Sequence, residues 1–325
     1  YHNDYTTLNI PNVNVVDAKI NPRLLEADQF SEVLEIRENA DVQQRVLRMS
    51  FTQEVKEAKE FWEKLEYEVD ILVNSKDKKI KEIRTSAYRV QDIIEDAQRR
   101  FDDILDPEIG NPMDYIKEGY TNIINISELS EKQANVAMGF YLQQLLKDRK
   151  NATIAKHGKT KKQKDYKFFE PVFIILEEAH VFIPKDHDTA AKYWAAKIAR
   201  EGRKFGVGLG IVSQRPRSVD LNILSQMGSF AIMKIIQEDD QRQIASATES
   251  TSRELISQLT SLNVGDAVLV GQWTNLPSMV HVEEVKEKKM GADQSATKAW
   301  IKADKMKNVG VESTQGLVQK DLLLD

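Results

Sequence analysis

Two short segments of this 325-residue chain carry side chains suited to joint chemistry. The apolar run Val172-Phe173-Ile174-Ile175-Leu176 ends in Glu177-Glu178-Ala179-His180, and the run 207–212 ends in Ser213-Gln214-Arg215-Pro216. Side chains alternate along a strand, so adjacent carboxylates at its end point in different directions. One can hold a Mg²⁺ ion and its water shell while the other faces an attacking water, the division of labour that nucleoside triphosphate hydrolysis needs. Gln214, at the end of a neighbouring strand, is placed to sense a γ-phosphate. The plainer alternative is that two glutamates merely cap the following loop, because short motifs arise by chance.

Arg200 and Arg203 fall in the last turn of a helix expected over 188–204. Cations there complement the helix dipole, worth roughly 0.3–1 kcal/mol each. The alternative is an arginine finger reaching the nucleotide of a neighbouring subunit. Spacing alone leaves the dipole role ahead. The stretch Thr153-Ile154-Ala155-Lys156-His157-Gly158-Lys159-Thr160 imitates a phosphate-binding loop, G-x-x-x-x-G-K-[ST], but has Thr153 where Gly is required. It also follows a helix rather than a buried strand, so it is read as a basic loop. Residues 147–167 hold nine Lys or Arg against two Asp. That segment is either a solvated connection or a contact for a DNA backbone. The five histidines show no metal-ligand spacing, and no Ser-His-Asp arrangement is supported.

Periodicity supplies the elements that must carry these groups. Residues 26–110 read as a charged helical insert with 22 acidic and 14 basic residues. One long helix is expected from 41 to 72 with Asp41 as N-cap, and a second from about 79 to 105, ended by Pro107, Gly110 and Pro112. From 121 the pattern becomes strand and helix in alternation. A strand is expected over 121–126, then a helix opened by a Ser130/Gln133 capping box. Strands follow at 172–176, 207–212 and 229–235, the first of a kind buried on both faces. Helices at 188–204, 238–247 and 251–261, and paired strands near 266–271 and 278–285, complete the series. The expected fold is α/β, a parallel sheet with helices on both faces and an inserted helical bundle. Hydrophobic residues make up 41% and charged residues 30%, which excludes a wholly disordered chain. The absence of cysteine removes thiol nucleophiles, disulfides and Cys-held metals. A cytoplasmic location is the simplest expectation, and no apolar run is long enough to span a membrane. With a net charge of −5, binding to nucleic acid would have to use a local patch.

Three ordered stretches carry a family resemblance: Phe173 to His180, Ala199-Arg-Glu-Gly-Arg-Lys-Phe-Gly206, and Val212-Ser-Gln-Arg-Pro216. Together they resemble the core motifs of the HerA branch of the HerA/FtsK ATPases, and Leu255 to Gly271 is similar to that family's closing helix and strand. Tyr1-His2-Asn3-Asp4-Tyr5 resembles its D-x-H-G-E-Y segment, with Asn3 and Asp4 in place of Gly and Glu. The resemblance implies a RecA-like fold, ATP and Mg²⁺ as cofactors, and a homo-hexamer that moves along double-stranded DNA in end resection and double-strand break repair. A NurA-type nuclease is the implied partner. Residue by residue, it implies Glu178 as the base orienting the attacking water and Glu177 at the Mg²⁺-associated position, where Asp is usual and a glutamate would coordinate more loosely. It further implies Gln214 as γ-phosphate sensor and Arg203 as the finger acting in trans, with Arg200 kept in its dipole role. Glu284 and Val285 would lie by the adenine.

The same resemblance puts a phosphate-binding loop and a β-barrel domain upstream. The chain is then expected to be a C-terminal fragment, inactive alone. Residues 1–25 would begin the truncated core, 26–118 form the helical insert, 119–286 the ATPase core, and 287–325 an extended arm. Candidate pore loops are 183–193, 215–227 and 150–167. Two rivals stand: another DNA pump of the superfamily, FtsK- or conjugation-type, and a non-catalytic scaffold binding a partner through the insert.

Overall fold

In the computed structural model, residues 11–37, 39–75, 83–102, 104–156, 166–248 and 253–284 are described. The first strand, β1 (Val13–Asp17), finds its partner more than a hundred residues later. It pairs in parallel with β2 (Thr121–Asn125), with Val13 opposite Thr121 and Asp17 opposite Asn125. A parallel pair needs a crossover. Here the crossover is the helical segment: α1 (Ala27–Val33), α2 (Asp41–Ser50), α3 (Gln53–Glu57), α4 (Phe61–Asn74) and α5 (Arg84–Arg100). The two ends of that segment are tied together, since Ile20 N donates to Ile104 O at 2.7 Å and Asp106 N to Ile20 O at 3.0 Å.

The continuous helix expected over 41–72 is three helices instead. Phe51 turns inward and stacks on Phe30, ring centroids 4.6 Å apart, with the edge of Phe61 at 6.2 Å from it. Bringing these rings together breaks the helix at Phe51, and Thr52 restarts it by accepting a hydrogen bond from Val55 N. Asp41 is the first helical residue rather than the cap, which is Ala40. The second expected helix is α5, which ends at Arg100; residues 79–82 lie outside the described part.

α6 (Glu131–Lys156) starts at the foreseen capping box: Ser130 N donates to Gln133 Oε1 at 2.7 Å, and Gln133 N to Ser130 Oγ at 3.4 Å. Thr153 to Lys156, the start of the phosphate-loop imitation, form the last turn of α6, while 157–165 lie outside the described residues. β3 (Val172–Leu176) then pairs in parallel with β4 (Val207–Ile211). α7 (Ala179–Phe182) and α8 (Ala190–Glu201) make the crossover, followed by a 3₁₀ turn at Gly202–Phe205 and Gly206 at φ 68°. The buried Arg149 guanidinium donates to the carbonyls of Phe168, Phe169 and Phe205, which fixes the entry to both strands against α6.

After α9 (Leu221–Leu224) come β5 (Ser229–Ile232), α10 (Glu238–Ala247), α11 (Arg253–Gln258), β6 (Asp266–Gly271) and β7 (Ser278–His281). β5 was expected to extend the parallel sheet. It runs antiparallel to β6, which runs antiparallel to β7. The link from β6 to β7 is too short for a parallel crossover, and β5 joins the other edge of that hairpin. Strands of the described residues thus form two parallel pairs and one antiparallel trio within an α/β fold.

A single apolar cluster runs from Phe30, Leu47, Phe61 and Ile94 in the helical segment to Tyr141, Leu176, Phe182 and Ile198 beside the strands. A smaller one gathers Ile232, Ile244, Leu259, Val268 and Val270. α6 and α8 pack against each other and cover one face of β3 and β4. The other face is open, contrary to the expectation of burial on both: Phe173 is 69% and Ile175 61% exposed. The Phe173 ring lies over Gly208 and Gly210, and Val212 is also exposed.

The chain divides into two units, Pro11–Glu283 and a second formed by residues 2–10 with 284–325. Of the second, only Glu284 is described, as an exposed residue. Residues 1–5, Val285 and the expected arm 287–325 lie outside the described residues.

Candidate active site

β3 and β4 run parallel, so the ends of both open at the same edge, where ligands of open α/β sheets bind. Glu178 and Gln214 meet there. The Gln214 amide Nε2 donates to Glu178 Oε1 at 3.2 Å, across 36 residues of sequence. Their approach is set by backbone pairing: Val212 N donates to Leu176 O at 2.9 Å and Ala179 N to Val212 O at 3.0 Å, zipping the chain past the strand ends.

Strand alternation does not set the directions of the two carboxylates. β3 stops at Leu176, before either glutamate. Glu178 then sits in the left-handed region, φ 47° and ψ 44°, at the entry to α7. A non-glycine residue held there costs on the order of 1–3 kcal/mol, and such residues cluster where function fixes a side chain. The turn sends Glu178 to the strand exit edge, with Glu177, half-buried, beside it.

Two residues that the sequence reading passed over complete the cluster. His180 Nδ1 lies 3.3 Å from Glu178 Oε2 and 3.2 Å from Ser213 Oγ. Ser213 Oγ in turn accepts from Arg215 N at 3.1 Å. Their signal was present in the motif, a His two positions after the glutamate and a Ser directly before the glutamine. The elements behind them are tied as well: Asn135 Nδ2 donates to Val181 O at 3.1 Å, and Thr189 Oγ1 to Phe182 O at 2.7 Å.

Arg203 and Arg200 are exposed, Arg203 in the 3₁₀ turn and Arg200 in the last turn of α8. The 3₁₀ turn leads into the start of β4, whereas Glu178 lies beyond the end of β3. One five-residue strand separates the two levels, about 16 Å at ordinary rise. Arg203 is therefore not part of the Glu178 cluster of its own subunit. Glu284 belongs to the second unit and Val285 is undescribed, so neither is assigned to the cluster.

The loops that leave β3 and β4 are joined rather than separate. Lys185 N donates to Ser218 O at 2.9 Å and Asp220 N to Ile183 O at 3.0 Å. Lys192 Nζ bridges Asp188 and Asp220, both at 3.2 Å. Burial lowers the Lys192 pKa, and the two carboxylates more than offset it, so it stands above the ordinary lysine value. Between these loops and α10 lies a polar cavity of about 430 Å³ with Lys185, Arg217 and Arg242 on its wall beside Asp186 and Asp239.

Among the described residues no group of three or more His, Asp or Glu forms a cage for a metal. That donor set still suits Mg²⁺, which is ordinarily held by one or two carboxylates together with substrate phosphates and water. Glu177, half-buried and next to Glu178 in the chain, is a carboxylate of that kind.

Residues 1–145 match the family described as helicase HerA, central domain. The chain is 37% identical over 318 residues to the DNA double-strand break repair helicase HerA of Sulfolobus acidocaldarius, covering 93% of this chain and 62% of that protein. It is 38% identical over 313 residues to the protein of the same name from Sulfurisphaera tokodaii, with the same two coverages. The chain thus spans rather less than two thirds of these relatives. Among solved structures it resembles VirB4 of Thermoanaerobacter pseudethanolicus, with a TM-score of 0.56 at 12% identity over 84% of this chain and 77% of that one. It also resembles the plasmid coupling protein TrwB bound to a non-hydrolysable ATP analogue, with a TM-score of 0.50 at 10% identity, covering 85% and 75%. At such identities the likeness is one of fold.

Proposed function

We propose that this chain is part of a HerA-type helicase and that it supplies the water-activating part of an ATP-hydrolysing site in DNA double-strand break repair. The observation that carries this reading is the contact of Gln214 with Glu178 at the exit edge of two parallel strands. Glu178 takes a proton from water as the water oxygen bonds to the γ-phosphorus. The bond from that phosphorus to the bridging oxygen breaks, and its electron pair leaves with ADP. Gln214 reads the γ-phosphate with its amide. A bound Mg²⁺, with its water shell held by Glu177, would neutralise charge on the β- and γ-phosphate oxygens. Arg203 acts on the nucleotide of a neighbouring subunit, because its own cluster is out of reach.

In this reading 119–286 is the RecA-like core, begun by 1–25, interrupted by the helical insert 26–118 and followed by the arm 287–325. The protein works as a homo-hexamer on double-stranded DNA with a NurA-type nuclease, and the joined loops after β3 and β4 present Lys185 and Arg217 to the DNA backbone.

The test is Glu178→Gln in the full-length protein. Removing a positioned general base is expected to slow ATP hydrolysis by about 10²–10⁴-fold, with nucleotide binding retained in a filter or fluorescence assay. Loss of nucleotide binding together with a collapsed melting temperature would assign Glu178 a structural role instead.

A further inference from the structure

We propose that His180 is a positioning residue for Glu178: its ring holds one carboxylate oxygen so that the other is presented to water. This rests on the reading of Glu178 as the base. Each oxygen of that carboxylate has its own neighbour, Oε1 the Gln214 amide at 3.2 Å and Oε2 His180 Nδ1 at 3.3 Å. The two contacts differ in kind. Gln214 is an exposed side chain on a loop, and a sensor amide that turns to a γ-phosphate leaves Oε1 for the water. His180 lies two residues on, inside α7, the short helix that Glu178 caps, so its backbone is tied to that of Glu178.

A carboxylate oxygen only accepts, so the 3.3 Å approach of Nδ1 to Oε2 is attractive only when Nδ1 carries the ring hydrogen. The hydrogen-bond partner of Nδ1 is Ser213 Oγ at 3.2 Å; in that tautomer the hydroxyl oxygen accepts from the ring, and it also accepts from Arg215 N, which anchors the ring on the β4 side. His180 is about one-fifth exposed and Glu178 similarly so, which shields the contact from competing water. An oxygen held on one side leaves the base with a single orientation, and a base displaced from its water loses rate steeply.

Isosteres separate this from a packing role. The amide nitrogen of Asn overlays Nδ1 of His, and that of Gln overlays Nε2. In the full-length protein His180→Ala is expected to lower kcat for ATP hydrolysis about 10–100-fold with KM for ATP nearly unchanged. His180→Asn should restore most of that loss, and His180→Gln should not. Melting temperatures of all three should stay near that of the unaltered protein. Unaltered kcat in His180→Ala, or rescue by Gln and not by Asn, would overturn the proposal, as would a loss of kcat in all three that follows the melting temperature. If Glu178→Gln itself hydrolysed ATP normally, the underlying assignment of the base would fall, and that result is read independently of the His180 series.

Discussion

A glutamate that accepts a proton must be both reachable by water and held in one orientation, and the backbone of Glu178 meets both demands with a left-handed turn. The pairing with Gln214 was legible from residue types, because two short apolar runs each end in polar groups, with Glu178 and Gln214 both the second residue after the run. The turn was not, since nothing in the letter code makes a glutamate adopt positive φ. His180 and Ser213 were missed because neither forms a known spacing along the chain; they converge only through the parallel register of β3 and β4. Another residue-scale effect lies in the core. Tyr141 is buried on the inner face of α6, and burial pushes its phenol up from 10.0 to about 12. The folded state then keeps a proton that the unfolded chain gives up above pH 10, so stability falls as pH rises from 10 towards 12. Tyr141→Phe removes that linkage. Melting temperatures recorded from pH 8 to 11.5 should decline less steeply in Tyr141→Phe than in the unaltered protein, and parallel declines would show that the phenol does not carry the effect.

Elements were read with more success than their joints. Strands β2, β3, β4 and β6 and helices α6 and α10 fall where apolar periodicity put them, because one buried face is enough to set the period. The breaks between α2, α3 and α4 escaped notice, because helical spacing continues through them while the aromatic cluster that causes them is tertiary. Pairing direction escaped in the same way: β5 carries no mark that it runs antiparallel to β6. Its junction does carry one testable demand. Gly271 has φ 104°, and a Cβ there would lie 2.3 Å from Gly228 O, a backbone atom that cannot swing aside. Gly271→Ala is therefore expected to destabilise the protein by more than about 1 kcal/mol through backbone strain and collision. Gly110→Ala, with nothing within 4 Å of the new methyl, is the control and should be near neutral in urea denaturation. Equal midpoints for the two variants would show that the end of β6 yields without cost.

At the scale of the whole molecule, the proposed ring has a testable consequence. The helical segment 26–110 carries 22 acidic against 14 basic residues, so in the proposed reading DNA attraction falls to local basic groups elsewhere. Arg203 carries the sharper consequence, standing exposed at the entry end of β4 while Glu178 stands beyond the exit end of β3. If Arg203 serves the neighbour's nucleotide, a site is shared between two chains, and two defects on different chains can leave one site whole. Arg203→Ala alone should lower ATP hydrolysis by about 10³-fold or more, as removal of an arginine finger does, and Glu178→Gln alone should be near inactive. Co-assembled in equal amounts in a closed ring, they place an intact Glu178 against an intact Arg203 at roughly a quarter of the interfaces by random assortment. The mixed protein should then hydrolyse ATP well above either variant, by an amount that depends on how far neighbouring sites must fire together. A mixture no more active than the better of its two components would return Arg203 to the helix-end role that its position in the sequence first suggested.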